Sequence, residues 1–201
     1  MFCSTNRSFC CCQQKNCCCK PNCCCRPNCC RANNRCCCPA RPPAPAVYGA
    51  GLYFNEAAGS VRTITSGDLA PAPDSGGVPV ADTTVPLNVF NPQLGTSESG
   101  SSLVVDTGGL YELRYYVGVQ LAPSVPYEVF VTQTTSGGTE IIADTVEAVP
   151  AGTILLPRLI EKTAEVRLAA GTGLSLVVRV ESTGVLRVIP GALLSAQRIS
   201  A

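Results

Sequence analysis

The sequence predicts an all-β domain over residues 47–201, an antiparallel sandwich of the jelly-roll kind, preceded by a cysteine-rich tail with no fold of its own. Three observations carry this. Apolar and polar residues alternate strictly in several runs. Breaks bearing Gly, Pro, Asp and Ser separate these runs about every dozen residues, the spacing of sandwiches and barrels. No segment combines helical periodicity, a cap and adequate length, although "LLPRLIEKTAEV" leaves room for one short turn.

Taken in order, "VYGAGLYFN", "SVRTI" and "VPLNVF" read as the first strands, parted by loops such as "APAPDSGG". "SLVVD" follows, then a Gly pair and the clearest run, "LYELRYYVGVQL". There Tyr111, Leu113, Tyr115, Val117, Val119 and Leu121 fall on one face, with Glu112, Arg114 and Gln120 on the other. "YEVFVTQTT" places Tyr127, Val129 and Val131 together and meets "SGG" before "TEIIADTV", a hairpin signal. "AEVRLAA", "GTG" and "LSLVVRV" continue the pattern, with Leu174, Leu176, Val178 and Val180 on one side and Ser175, Arg179 and Glu181 on the other. The last two strands are "GVLRVIP" and "ALLSAQRI". About 155 residues are enough for one core.

Charge divides the chain sharply. Its 201 residues carry a formal charge of only +1. Up to Ala46 lie seven of the fifteen Lys and Arg (Arg7, Lys15, Lys20, Arg26, Arg31, Arg35, Arg41) and no Asp or Glu, so that part is near +7. The remaining eight Lys and Arg and fourteen Asp and Glu leave the rest near −6. Opposite charges of this size imply weak attraction between tail and body.

All fifteen cysteines stand in residues 1–38: Cys3, Cys10, Cys11, Cys12, Cys17, Cys18, Cys19, Cys23, Cys24, Cys25, Cys29, Cys30, Cys36, Cys37 and Cys38. They form a low-complexity array, "CCCQQKN", "CCCKPN", "CCCRPN", "CCRANNR", "CCCP". Beside cysteine the tail has only Phe2 and Phe9 as large apolar side chains, too little to offset chain entropy in the reduced state. Residues 39–46, "PARPPAPA", favour an extended polyproline spacer.

Adjacent cysteines pair poorly, because successive α-carbons are about 3.8 Å apart whereas a relaxed disulfide wants roughly 4.4–6.8 Å. The fifteen thiols are odd in number, so they cannot all pair within one chain. Both points favour intermolecular cross-links. The competing chemistry is thiolate binding of zinc or monovalent copper, in the manner of a metallothionein. Lys20, Arg26 and Arg31, directly after clusters, would lower thiol pKa values in either case. The basic tail lacks the aromatic interleaving of a nucleic-acid surface.

Catalysis finds little support. The chain has no histidine, which excludes every imidazole-based triad or base, and the expectation is no enzyme. Asp68, Asp74 and Asp82 stand in a loop-rich stretch and fit either a calcium ion or solvated loop charges. Tyr111, Tyr115 and Tyr127 fit core or subunit contacts better than a ligand cage. No run approaches the roughly 18 apolar residues of a membrane span, and the start lacks the apolar region of a secretory signal.

"SLVVDTGGLYELRYYVGV", "VRLAAGTGLSLVV" and "GALLSAQRIS" together resemble the globular heads of the tumour necrosis factor and complement superfamily. Within it, the carboxy-terminal domain of the BclA-like spore-surface proteins is the most similar group. The resemblance implies a jelly roll that assembles as a homotrimer and is displayed on the exosporium or coat of an endospore. It also implies synthesis in a mother-cell cytosol without a signal peptide. BclA-like proteins usually carry a Gly-X-Y collagen stalk, which this chain lacks. The cysteine array in its place resembles cysteine-rich exosporium and coat proteins and the disulfide-forming connectors of spore appendages. The implied partners are further copies and other cysteine-rich surface-layer proteins. An adhesin or ligand-binding head is a further alternative.

Overall fold

The structure, a computed structural model, describes residues 46–53, 60–152 and 156–200. Strands β1 (Tyr48–Leu52), β2 (Ser60–Ile64), β3 (Ala70–Pro71), β4 (Pro79–Thr84), β5 (Val89–Leu94), β6 (Thr96–Ser99) and β7 (Ser102–Val105) come first. They are followed by β8 (Gly109–Ala122), β9 (Tyr127–Thr135), β10 (Gly138–Ile141), β11 (Glu147–Val149), β12 (Arg158–Leu168), β13 (Thr172–Val180) and β14 (Gly184–Ser200). The single helical element among the described residues is one 3-10 turn, Ala143–Thr145.

Two antiparallel sheets face each other. The six-stranded sheet has the order β12-β8-β14-β1-β5, with β2 also on β14. The eight-stranded sheet has the order β10-β9-β13-β4-β3, with β11 on β9 and the β6–β7 hairpin joined through β7 to β13. Each inner face is the apolar half of an alternating pattern. Tyr111, Leu113, Tyr115, Val117, Val119 and Leu121 of β8 are all buried, against Val129 and Val131 of β9 and Leu174, Leu176, Val178 and Val180 of β13. Burying a Leu or Val side chain is worth about 1.5–3 kcal/mol, so this two-layer core holds the fold without any disulfide.

Two of the buried tyrosines, Tyr115 and Tyr111, hold their polar ends in specific ways, whereas the buried hydroxyls of Tyr53 and Tyr127 have no hydrogen-bond partner among the described residues. Tyr115 Oη donates to the carbonyl of Val129 or Thr145, at 3.2 and 2.9 Å, and Thr145 Oγ1 in turn accepts from Val131 N at 2.9 Å. The 3-10 turn is thereby tied to β8 and β9. Tyr111 Oη donates to the Thr107 carbonyl. All three tyrosines of the predicted set, Tyr127 included, are core residues.

The structure departs from the sequence reading in several places. "GVLRVIP" and "ALLSAQRI" are one 17-residue strand, β14. Its register on β8 shifts between Ile189 and Leu193, and Gly191 there has φ of 98°. This bulge bends the strand where its second partner changes from β2 to β1. "LLPRLIEKTAEV" holds no helical turn from residue 156 onward; Arg158–Leu168 is a continuous strand on β8. "TEIIADTV" is not one strand, because the 3-10 turn separates β10 from β11. The short strands β3, β4 and β6 lie in stretches read as loop.

Candidate assembly surfaces

The pairing registers show which side chains share the outward face of the six-stranded sheet. Leu159 of β12, Gly118 of β8 and Ile189 of β14 lie in one row, and Glu161, Tyr116, Leu193, Leu52 and Val89 in the next. Gly118 has a local reason: a Cβ there would come within 2.9 Å of Ile189 Cβ. The glycine therefore lets Ile189 lie flat across the middle of the sheet. Leu159 is 70% exposed, and Val89 and Val185 on the same face are also exposed. Apart from Glu161, these residues make an apolar area across five strands. Soluble surfaces seldom leave such an area open without a partner.

Farther along the same face the residues turn polar. Glu112 of β8 lies opposite Glu165 of β12, and Arg114 forms an ion pair with Glu161. At the sheet edge, Lys162 of β12 reaches the Val146 carbonyl and Glu147 Oε2, the latter at 3.2 Å, and joins the two sheets.

The outward face of the eight-stranded sheet carries a different arrangement. Arg179 of β13 lies between Asp82 of β4 and Glu128 of β9. Its Nε and Nη2 donate to Asp82 Oδ1 and Oδ2 at 2.7 and 2.8 Å, and Nη1 donates to Asp74 Oδ2 at 2.8 Å. The guanidinium also sits 4.9 Å from the centre of the Phe130 ring. Phe130 and Val177 are thus buried on a face that alternation alone assigns to solvent. Asp68 accepts from Thr65 Oγ1 at 2.6 Å, Thr65 N at 2.8 Å and Arg62 Nη2 at 3.1 Å. The Thr65 hydroxyl and amide, with Arg62, hold its carboxyl at about 2. The hydrogen bond from Arg179 likewise lowers Asp74 and outweighs desolvation. Asp82 and Asp74 together hold Arg179 above its ordinary range.

These contacts correct the reading of the three aspartates. They are neither a calcium cluster nor free loop charges. Asp74 and Asp82 are committed to Arg179 and Asp68 to Arg62. No group of three His, Cys, Asp or Glu suited to a metal ion occurs among the described residues. Sequence reasoning missed Arg179 as the centre of this cluster, because its partners are about a hundred residues away in the chain and no local spacing reports them. The fifteen cysteines lie outside the described residues. No described helix is long and apolar enough to cross a membrane.

No protein-family model matches the chain, and no curated protein matches it. Solved structures do. Eiger TNF from S. frugiperda superposes with a TM-score of 0.53 at 12% identity, covering 78% of this chain and 94% of that one. Murine APRIL at pH 8.5 gives 0.50 at 11%, covering 77% and 99%, and murine APRIL at pH 8.0 gives 0.50 at 13% over the same shares. At such identities the likeness is one of fold: the described domain is a TNF-like jelly roll.

Proposed function

We propose that this chain is a structural component of a bacterial endospore surface layer, exosporium, coat or appendage. In this reading its tail is joined by intermolecular disulfides and its jelly-roll head is displayed as a homotrimer. The observation that carries the proposal is the segregation of sulfur: fifteen cysteines in the first 38 residues and none in residues 39–201. The head's core is complete without sulfur, so the thiols serve something other than its stability. Neighbouring cysteines in clusters are badly placed for one another, which directs them to other chains, either further copies or other cysteine-rich proteins of the layer. Oxidation after release from a reducing cytosol would set such a network. The role is architectural and involves no catalysis and no cofactor.

Self-association of the head is supported by the apolar rows around Ile189, Leu193, Tyr116 and Leu159. A cyclic trimer needs a heterologous contact, in which this face meets a different surface of the next copy.

The test is extraction. A tagged chain expressed during sporulation should stay in the surface layer in detergent and leave it only on reduction. A variant with all tail cysteines changed to serine should extract without reductant. Equal extraction of both proteins, or release by a metal chelator alone, would contradict the proposal; the second result would favour thiolate-bound zinc or monovalent copper.

A further inference from the structure

The two sheets differ in charge in a way that the proposed layer role does not use. Among the described residues, Arg179 is the one Lys or Arg on the eight-stranded sheet, whereas Arg62, Arg114, Arg158, Lys162, Arg167, Arg187 and Arg198 all belong to the six-stranded sheet. On the outward face of the eight-stranded sheet the cross-strand row Asp82–Arg179–Glu128 is joined by Asp74 and by Glu181 at the end of β13. Asp82 and Asp74 bond the guanidinium, Glu128 is its cross-strand neighbour and Glu181 follows β13, so four carboxylates share this region with Arg179. Arg62 of β2 reaches the Asp82 carbonyl, not its carboxylate, and pairs with Asp68. The guanidinium is buried and already engaged by Asp74 and Asp82, so it offers nothing to solvent. Among the described residues, Glu128 and Glu181 make no ion pair. This face is a negative wall on a twisted, extended surface.

We infer that this wall docks the cationic amino-terminal segment, residues 1–45, of another copy of the chain. The argument is charge complementarity together with chain length. That segment has seven Lys and Arg and no Asp or Glu, so no like charge opposes its approach. At about 3.3 Å per residue it can span roughly 150 Å, enough to reach a neighbouring head. Its cations recur beside the cysteine clusters, as in "CCCKPNCCCRPN". A segment held through Lys20 and Arg26 therefore presents cysteines on both sides of each contact. The head has no cysteine to compete, so docking is non-covalent and brings the tails of different copies side by side. The attraction is strongest at low ionic strength, because the Debye length is about 8 Å at physiological salt.

The inference concerns charge and stands apart from the disulfide reading, so the test uses full-length protein with every thiol capped by a neutral alkyl group. Protein with normal and with heavy nitrogen isotopes is mixed and coupled with a zero-length carbodiimide, which joins amines to carboxylates in contact. Mixed-isotope links from Lys15 and Lys20 should fall on Glu128, Glu181, Asp74 and Asp82. They should decline at least fivefold in 0.5 M salt, and they should be lost in Glu128→Gln/Glu181→Gln while surviving in Glu112→Gln/Glu165→Gln. Links spread evenly over both sheets, links confined to one isotope, or links unaffected by Glu128→Gln/Glu181→Gln would each overturn it. Failure here leaves the extraction test of the disulfide layer unaffected.

Discussion

Arg179 and Asp82 form a bidentate pair across β13 and β4, with Nε 2.7 Å from Oδ1 and Nη2 2.8 Å from Oδ2. Guanidinium and carboxylate match in such a fork, which fixes geometry as well as charge. The pair also holds the cation over Phe130 and draws in Asp74 from the β3–β4 loop. It is the organising contact of the outer eight-stranded face.

Asp82→Ala should therefore destabilise the head by about 1–3 kcal/mol, less than the loss of a fully buried pair because the carboxylates are partly hydrated. Asp74→Asn, which weakens a single contact, should cost less. Arg179→Met should cost less than Arg179→Ala, since its stem still covers Phe130. Urea unfolding of the four variants checks the order; equal losses for Asp82→Ala and Asp74→Asn would contradict it.

Acid should weaken the head in a defined window. Asp68 is held at about 2 and Asp74 is also lowered, against an ordinary aspartate value of 3.8. A carboxyl with a depressed folded pKa contributes stability in full above its unfolded value and loses it as pH falls toward the folded one. The unfolding midpoint should thus drop between about pH 4 and pH 2. Asp68→Asn should flatten that drop, and an unchanged slope would show that the Thr65 and Arg62 contacts do not hold.

Tyr115 ties β8 to β9 and the 3-10 turn. Tyr115→Phe should cost about 1–2 kcal/mol, because carbonyls of Val129 and Thr145 lose a buried donor. Burial raises Tyr115 above the ordinary tyrosine range and pushes Tyr127 up to about 12. Unfolded tyrosines ionise near pH 10, so stability should fall as pH rises above that value. Absorbance titration in the native state should show phenolate signals from these two only at unfolding.

Much of this core was legible in the sequence. Alternation in "LYELRYYVGVQL" identified all six inward residues of β8, because a strand with one wet face writes its burial directly into its period. Phe130 and Arg179 were not legible in the same way. Their face is covered from the β3–β4 loop, whose contribution depends on contacts formed only after the chain folds back. The sequence of β14 suggests two strands because Pro190 and Gly191 look like a break, whereas the bulge absorbs them without ending the sheet. The outward apolar rows were also hidden, since Leu159, Gly118, Ile189 and Leu193 meet only through strand register.

Those rows give another prediction. Leu193→Asp or Leu159→Asp should weaken head association by roughly 1–3 kcal/mol, in the range of central interface side chains. Each should leave the unfolding of the monomer nearly unchanged. Sedimentation at several concentrations reads the first effect and urea unfolding the second. Unaltered association in both variants would move the contact to another face.

The covalent account rests on where the tail sulfurs go, and mass spectrometry of unreduced peptides from mature surface material answers that directly. Peptides linking Cys10–Cys12, Cys17–Cys19, Cys23–Cys25 or Cys36–Cys38 of one chain to another chain are the predicted result. Free thiols recovered in full after metal removal, with every chain at monomer mass, would contradict it.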